Sequence, residues 1–241
     1  MAPSATAYTY QMNQLVHSKK NQTAVPDAAK EPSRTNDPAR TMAEILAVAT
    51  HEFADKGLTG ARIDEIAAAT RTSKRMIYYY FGSKDALYLA VLEEAYRRMR
   101  AIEADLHLGD LAPVAALRKL VEFTYDHHRD NEDFIRLVMN ENIQRGDYLR
   151  QSQNIQALNS NAIQSVRDVY ERGVTQGVFR PGLDPVDIHS AISAFTFFNV
   201  SNRHTFGVIF QSKASPGKAK TLKRAHVVEL ILRFVGHAVP A

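Results

Sequence analysis

The 241-residue sequence contains no cysteine, so disulfide bonds, thiolate metal ligands and a thiol nucleophile are excluded. A chain without cysteine fits a reducing, cytosolic compartment. No apolar run approaches the roughly 18 residues that a membrane span needs. The first 36 residues also lack the apolar centre of a signal peptide. We therefore expect a soluble, cytoplasmic protein that is not exported and has no membrane partner.

Patterns typical of enzymes are missing as well. No segment alternates like a half-buried strand, and no glycine-rich turn joins a strand to a helix. Tyr80 and Lys84 have the Tyr-x3-Lys spacing of short-chain reductases, but the dinucleotide-binding motif is absent. His127 and His128 follow Asp126, yet adjacent helical residues point about 100° apart and do not readily chelate one ion. We expect no enzymatic activity, no cofactor and no metal site.

What the sequence does contain is a long series of helical patterns. Residues 1–37 are rich in small polar residues and proline, which predicts a disordered tail. From residue 38 onward apolar residues recur at helical spacing, so the predicted fold class is all-α. Predicted helices begin at Pro38, Ile63, Ser73 and Lys84, and later ones cover about 112–129, 131–144, 148–178, 184–204 and 221–238. The polar composition of residues 211–220 predicts an exposed loop.

Local signals mark the ends of the first helices. Asp37 before Pro38 is a typical helix start, and Gly57 stands where a helix end needs a positive φ. Ser73 and Ser83 are the expected N-caps of the third and fourth helices. Spacing also predicts buried positions: Tyr80 and Phe81 in the third helix, and Leu87, Val91, Ala95, Met99 and Ile102 in the fourth.

The segment from Thr59 to Tyr88 carries the functional signal. It reads as a short helix, a tight turn and a second short helix, and a helix of this size fits the major groove of DNA. In the first turn of the second helix, Arg75 can bind O6 and N7 of guanine as a fork. Lys74 can do the same or hold a phosphate, and Met76 offers an apolar surface to a thymine methyl.

Neighbouring residues suit the phosphates. The Tyr78 hydroxyl can reach the DNA backbone, and Lys84 places a positive charge at a helix N-terminus. Residues 38–84 contain seven basic and five acidic side chains, and four of the seven basic ones lie within 71–84. The positive charge is therefore concentrated on the predicted DNA face.

The string Ile77-Tyr78-Tyr79-Tyr80-Phe81-x-Ser83-Lys84, preceded by Ile63-x2-Ile66-Ala67 and Ser73-Lys74, resembles the DNA-binding domain of the TetR family of regulators. The resemblance covers about residues 40–88. It implies an all-α homodimer that binds double-stranded operator DNA with a palindromic sequence, usually as a repressor released by a ligand. By position, it implies base contacts by Thr72, Lys74, Arg75, Met76 and Tyr79 and phosphate contacts by Ser73, Tyr78 and Lys84, to which we add Arg62 and Arg71.

Two positions depart from the pattern of that family. Arg71 replaces the usual glycine of the turn, which costs about 1 kcal/mol if the residue is left-handed. Either the turn has another shape, or a phosphate contact of Arg71 offsets the cost. The usual Ser or Thr at the start of the second helix reads Ala61-Arg62, which weakens the N-cap. Arg62 then points from a helix N-terminus toward a phosphate.

The C-terminal half shows two strongly apolar stripes. Ile188, Ile192, Phe195 and Phe198 form one within 184–204, and Val227, Leu230, Ile231 and Phe234 form another within 221–238. By resemblance these helices make the homodimer interface, and an ordinary core is the alternative. Polar residues with apolar neighbours are candidates for a small-molecule effector site: His127, His128, Glu141, Asn142, Asn199, Asn202 and Arg203. For each of these a purely structural role is the alternative.

These observations predict two domains: a three-helix helix-turn-helix domain at 38–84 and a larger helical ligand-binding and dimerisation domain at 85–238. The predicted function is sequence-specific transcriptional regulation by a repressor that a small molecule releases. Activation, regulation without a ligand, and a helical binding protein that reuses the helix-turn-helix are the alternatives. The residues do not identify the effector, the operator or the target genes.

Overall fold

A computed structural model describes residues 37–210 and 218–237, with backbone alone for 218–222. The predicted tail, with Lys19, Lys20, Lys30 and Arg34, lies outside the described residues except for Asp37. The described chain is all-α, as predicted, and its helices are α1 (Pro38–Gly60), α2 (Ile63–Ala69), α3 (Lys74–Phe81), α4 (Lys84–Ala104), α5 (Pro113–Asp130), α6 (Glu132–Ile143), α7 (Gln153–Thr175), α8 (Pro185–Ser201), α9 (Arg203–Ile209) and α10 (Lys218–Val235).

Three of the predicted boundaries differ from the structure. A short 3-10 helix, Leu149–Gln151, precedes α7, and Ser152 caps α7 by accepting from the N–H of Ile155. The predicted helix 184–204 divides into α8 and α9 at Asn202. Helix α10 begins at Lys218, so the end of the predicted loop is helical, and residues 211–217 lie outside the described residues. None of the described helices is long and apolar enough to cross a membrane.

Local signals set the ends of the first helices as predicted. Gly57 interrupts α1 with a φ of 66°, a conformation that glycine takes without a Cβ clash. Ser73 accepts a hydrogen bond from the N–H of Met76, and Ser83 accepts one from the N–H of Ala86. These caps satisfy donors that the first turns of α3 and α4 leave free.

One apolar core joins the first four helices to the later part of the chain. Phe53 of α1, Ile77 of α3 and Leu87 of α4 are at most 1% exposed and share this core with Leu137 of α6 and Ile155 of α7. The helices that present α3 are therefore packed directly on helices from the second half of the chain. Burial of this apolar surface is the main stabilising term.

Helix α6 also holds the end of α1 through hydrogen bonds. Arg136 donates from Nε to the carbonyl of Ala54 (2.8 Å) and from Nη2 to that of Asp55 (3.0 Å). Asn140 donates from Nδ2 to the carbonyl of Phe53 (3.1 Å). These carbonyls lie in the last turn before Gly57, where a helix runs out of its own donors. We call Arg136 and Asn140 the α6 clamp.

The segment after α6 makes a second connection to the N-terminal helices. Tyr148 donates its hydroxyl proton to Asp85 at the start of α4 (2.5 Å). The backbone N–H groups of Tyr148 and Leu149 donate to the carboxylate of Glu141, which is 1% exposed. This segment is thus held by a buried carboxylate and touches the helix that follows α3.

A second core lies among α5, α7, α8 and α10. Gly173 of α7 leaves space for the ring of Phe179, which is 2% exposed and stacks on Tyr170 with ring centres 6.5 Å apart. The α8 and α10 stripes divide between core and surface. Ile188, Ile192, Val227 and Ile231 are buried, Phe234 is half-buried, and Phe195, Phe198 and Leu230 are 43%, 48% and 47% exposed.

Candidate nucleic-acid interface

Helix α3 presents its first turn to solvent. Lys74 and Arg75 are exposed, and the Ser73 cap fixes the backbone from which they project. Ile77 anchors the helix from the opposite side and is 1% exposed. An eight-residue helix held by one buried face and exposing two basic residues at its N-terminal end has the form of a major-groove reading helix.

The other side chains of this region differ in exposure. Tyr79 and Tyr78 are 75% and 45% exposed, whereas Met76 and Thr72 are half-buried. Thr72 donates its hydroxyl proton to the carbonyl of Thr70 at 3.4 Å. Of these four side chains, Tyr79 and Tyr78 are therefore the more accessible to DNA.

Four predicted core residues are less buried than expected, and one of them is Ala95 of α4, which is half-buried. Tyr80 and Phe81 are half-buried on the side of the first core, where Ile77 alone fills the fully buried position of α3. Ile102, predicted in the inward stripe of α4, is 50% exposed. Helical spacing alone cannot distinguish a residue at the centre of a contact from one at its edge.

The turn between α2 and α3 keeps the left-handed geometry that the family pattern implies. Arg71 has a φ of 51°. A side chain in this conformation costs about 1 kcal/mol relative to glycine. The alternative of a reshaped turn is therefore not observed. The guanidinium is exposed and free to extend toward a phosphate.

The start of α2 lacks a side-chain cap and is held instead by a contact with α1. Arg62 makes no side-chain cap, as predicted, but its N–H donates to Oε1 of Glu52 in α1 (3.1 Å). Glu52 also binds Lys56, which in turn pairs with Glu65. A carboxylate from the preceding helix thus binds the N–H of the N-cap residue itself, whereas a Ser or Thr cap would accept from N–H groups further into α2. The Arg62 side chain stays exposed.

Charge on this surface is partly compensated. Lys74 forms an ion pair with Asp64 of α2, and Lys84 donates to the carbonyl of Thr59 at 3.4 Å. Across residues 37–210 and 218–237, no ion pair involves Arg62, Arg71 or Arg75. Arg71 and Arg75 therefore supply positive charge that is in no ion pair of the described residues, and Arg62 adds to it from beside Glu65.

The candidate effector residues are brought together only in part. His127 and His128 of α5 are 9% and 4% exposed, and His128 stacks on Phe134 with ring centres 6.1 Å apart. Burial lowers the pKa of His128 to about 3, with smaller contributions from His127, Arg100 and His189. His128 is therefore neutral at physiological pH, and its Nδ1 has no hydrogen-bond partner among the described residues.

The remaining candidates have local partners. Asn142 donates to the carbonyl of Val138, and Asn199 donates to that of Phe195, both one turn back in their helices. Asn202 donates to the hydroxyl of Ser201 at the end of α8. The exposed Arg203 forms an ion pair with Glu132. Glu141 accepts the two N–H groups described above at Oε2, whereas its buried Oε1 has no hydrogen-bond partner among the described residues.

Sequence reasoning missed Arg100, whose side chain is 9% exposed. It forms an ion pair with Glu103, donates to Oδ1 of Asn159 (2.8 Å), and keeps an unpartnered Nε–H among the described residues. Its charge contributes to the lowered pKa of His127, His128 and His189. The signal was available, because Arg100 and Glu103 stand three residues apart beside the predicted inward Met99.

Comparison with known proteins identifies the family to which this architecture belongs. Residues 45–91 match the family described as "Bacterial regulatory proteins, tetR family", and residues 113–231 match "Tetracyclin repressor-like, C-terminal domain". The HTH-type transcriptional repressor NicS of Pseudomonas putida is 34% identical over 200 residues, which are 83% of this chain and 94% of that protein. The chain belongs to the TetR family. It is a DNA-binding transcriptional regulator, as the sequence predicted.

Further TetR-family comparisons agree. The HTH-type transcriptional repressor SCO4008 of Streptomyces coelicolor is 34% identical over 149 residues, covering 61% of this chain and 74% of that protein. The crystal structure of a tetR-family regulatory protein from Rhodococcus RHA1 superposes with a TM-score of 0.66 at 23% identity, covering 83% of this chain and 99% of that one. That structure shows the shared fold.

For a TetR-family regulator with this surface, Lys84→Ala is expected to weaken binding to all DNA sequences alike. Lys84 lies at the start of α4 and is proposed to meet a phosphate, which carries no sequence information. The log–log dependence of affinity on salt should become shallower by about 0.9, the value for one lost phosphate contact. Fluorescence anisotropy on operator and random duplexes measures both. A loss confined to the operator would contradict the assignment.

Proposed function

We propose that this chain is a dimeric repressor that binds an inverted repeat in double-stranded DNA and is released by a small molecule. The observation that carries the proposal is the first turn of α3, where a capped backbone presents Lys74 and Arg75 away from a buried Ile77. Repression is supported by the relatives from Pseudomonas putida and Streptomyces coelicolor, both described as transcriptional repressors. Its place of action is the cytoplasm, where bacterial operator DNA lies.

The proposed contacts follow the exposed surface around α3. Arg75 and Lys74 read guanine edges, with Tyr79, Met76 and Thr72 beside them. The proposed phosphate contacts are made by Arg62, Arg71, Ser73, Tyr78 and Lys84. In the proposed division of labour, residues 38–84 bind DNA and 85–238 carry the effector and dimer functions.

The proposed dimer surface is formed by α8 and α10. Their buried residues serve the second core, whereas Phe195, Phe198 and Leu230 remain 43%, 48% and 47% exposed. Large apolar side chains that stay exposed in adjacent helices are typical of a surface that a second copy covers. In a two-fold dimer the same patch serves both subunits.

The proposed effector site is centred on His127 and His128. Both imidazoles are buried beside Phe134 in aromatic surroundings, which are typical of a small-molecule site. Nδ1 of His128 has no hydrogen-bond partner among the described residues, whereas Nδ1 of His127 lies 3.4 Å from Nδ2 of Asn131. Release requires that the effector bind the DNA-incompetent form more tightly than the DNA-bound form.

Selection of bound sequences from random DNA tests the proposal. We expect an inverted repeat whose half-site centres are one helical turn, about 10 base pairs, or a multiple of it apart. Failure to enrich any motif at low salt with folded protein would instead support a reuse of the fold for protein contacts. A promoter fusion then separates repression from activation.

Sedimentation tests the dimer. We expect the wild type to sediment as a dimer at micromolar concentration without DNA, and Phe198→Asp to shift it toward monomer because a charge would enter an apolar interface. Ile102→Asp is the matched control, since Ile102 on α4 is 50% exposed and Phe198 is 48% exposed. Equal behaviour of the two variants would contradict the assignment of α8.

A further inference from the structure

Within the proposed DNA-binding surface, one acidic residue is placed against the reading helix. Asp64, in the first turn of α2, forms an ion pair with Lys74, the first residue of α3. The two side chains are 50% and 54% exposed, so the pair lies at the surface and not in the core. In the part of the chain that the structure describes, no other proposed DNA contact is in an ion pair.

The pairing is selective within its surroundings. Glu65, the next residue of α2, pairs with Lys56 of α1, which is not among the proposed DNA contacts. Both acidic residues also lie in the first turn of a helix, where a negative charge stabilises the helix dipole. Their shared position accounts for a structural role, but it does not account for a carboxylate directed at Lys74.

The pair affects random DNA and operator DNA differently. To bind DNA, Lys74 must leave Asp64, and the carboxylate then faces the phosphates without a partner. Random DNA offers only phosphate attraction in return, which is the main source of non-specific affinity. An operator guanine accepts a pair of directed hydrogen bonds from Lys74, which offset more of the free energy lost when the ion pair breaks. A paired Lys74 therefore contributes little to binding until the correct base is present.

We propose that Asp64 is a specificity-determining residue that keeps Lys74 in an ion pair and thereby lowers affinity for non-operator DNA. The inference rests on the proposed role of α3 in reading DNA. Asp64 acts through Lys74 and does not itself touch a base, so it is a positioning residue. Its removal should increase binding while it reduces discrimination between operator and random sequence.

The test is Asp64→Asn in the full chain, with affinity for operator and random duplexes measured from low to high salt. One freed positive charge should steepen the log–log salt slope on random DNA by about 0.9. At about 0.1 M salt we expect affinity for random DNA to rise about five- to tenfold and affinity for operator to rise about two- to threefold. The specificity ratio should fall by about threefold.

Glu65→Gln is the matched control. It removes one negative charge from the same turn of the same helix, near Lys56 and Arg62, but leaves Lys74 paired. Affinities for operator and random DNA should therefore change alike, and the specificity ratio should stay near the wild-type value. Melting temperatures of both variants report any loss of the helix-dipole contribution, which both should share. Identical DNA binding by Asp64→Asn and Glu65→Gln would overturn the proposal.

A double-mutant cycle with Lys74→Ala completes the test. Asp64→Asn should raise random-DNA affinity less when Lys74 is absent, because only the direct repulsion between the carboxylate and the phosphates is then removed. Simple additivity of the two substitutions would overturn the proposal. If the wild type shows no operator preference, the proposed function fails, whereas the salt slope on random DNA still reports the Asp64–Lys74 coupling.

Discussion

Arg75→Ala is expected to lower affinity for the operator by about 1–3 kcal/mol, which is roughly 5- to 150-fold, and to relax the preference at one base of each half-site. Arg75 is exposed in the first turn of α3, and its guanidinium is in no ion pair within the described chain. Within the described residues, no ion pair therefore has to break before Arg75 binds a guanine. Anisotropy titrations with operators substituted at single positions measure both effects.

Arg118→Ala is a suitable control for this result. Arg118 is exposed on α5, so the substitution removes the same charge far along the chain from α3. We expect it to leave the sequence preference unchanged. Equal losses in the two variants, or an equal loss by Arg75→Ala on operator and random DNA, would show that Arg75 contributes general charge and does not read a base.

Gly173→Ala is expected to destabilise the protein by about 3 kcal/mol, near the upper end of what overpacking a core costs. A Cβ atom at Gly173 would lie 1.9 Å from Cδ2 of Phe179, and real Cβ atoms do not come that close. The ring cannot move aside easily, because it is 2% exposed and stacked on Tyr170. Urea denaturation at one fixed protein concentration measures the change.

Gly207→Ala separates this clash from the general effect of alanine in a helix. Gly207 is also helical, but a Cβ atom added there meets nothing within 4 Å. Alanine should therefore leave stability unchanged or raise it by up to about 1 kcal/mol, since it is the better helix former. An unchanged unfolding midpoint for Gly173→Ala would show that α7 and the Phe179 segment separate readily.

The parts of the fold that the sequence predicted are those set by neighbouring residues. The break at Gly57 and the caps at Ser73 and Ser83 involve groups no more than four residues apart. The local sequence pattern is therefore enough to predict them. The partial exposure of Tyr80, Phe81 and Ile102 depends on where the edge of a tertiary contact falls. Helical periodicity gives a direction from the helix axis, and it does not give the extent of the packed area.

The functional residues divide in the same way. Lys74 and Arg75 were found because the DNA motif is continuous in sequence, whereas the partner of Lys74 lies ten residues earlier in another helix. The sequence predicts effector residues from polarity beside apolar neighbours. Asn142 and Asn199 meet that criterion, yet each donates to a carbonyl of its own helix. Arg100, buried in an ion pair, was missed because charged residues on a helix are usually solvated.

The α6 clamp limits how DNA-reading helices can be exchanged among relatives. Arg136 and Asn140 bind the carbonyls of residues 53–55, although about 80 residues of chain separate the two segments. A chimera that joins residues 38–84 to the regulatory half of another family member would keep those carbonyls but exchange the side chains that donate to them. Transferring Arg136 and Asn140 together with the reading helices would restore these hydrogen bonds. An engineered sensor with a new operator should therefore take two segments from this chain, residues 38–84 and the two clamp positions of α6.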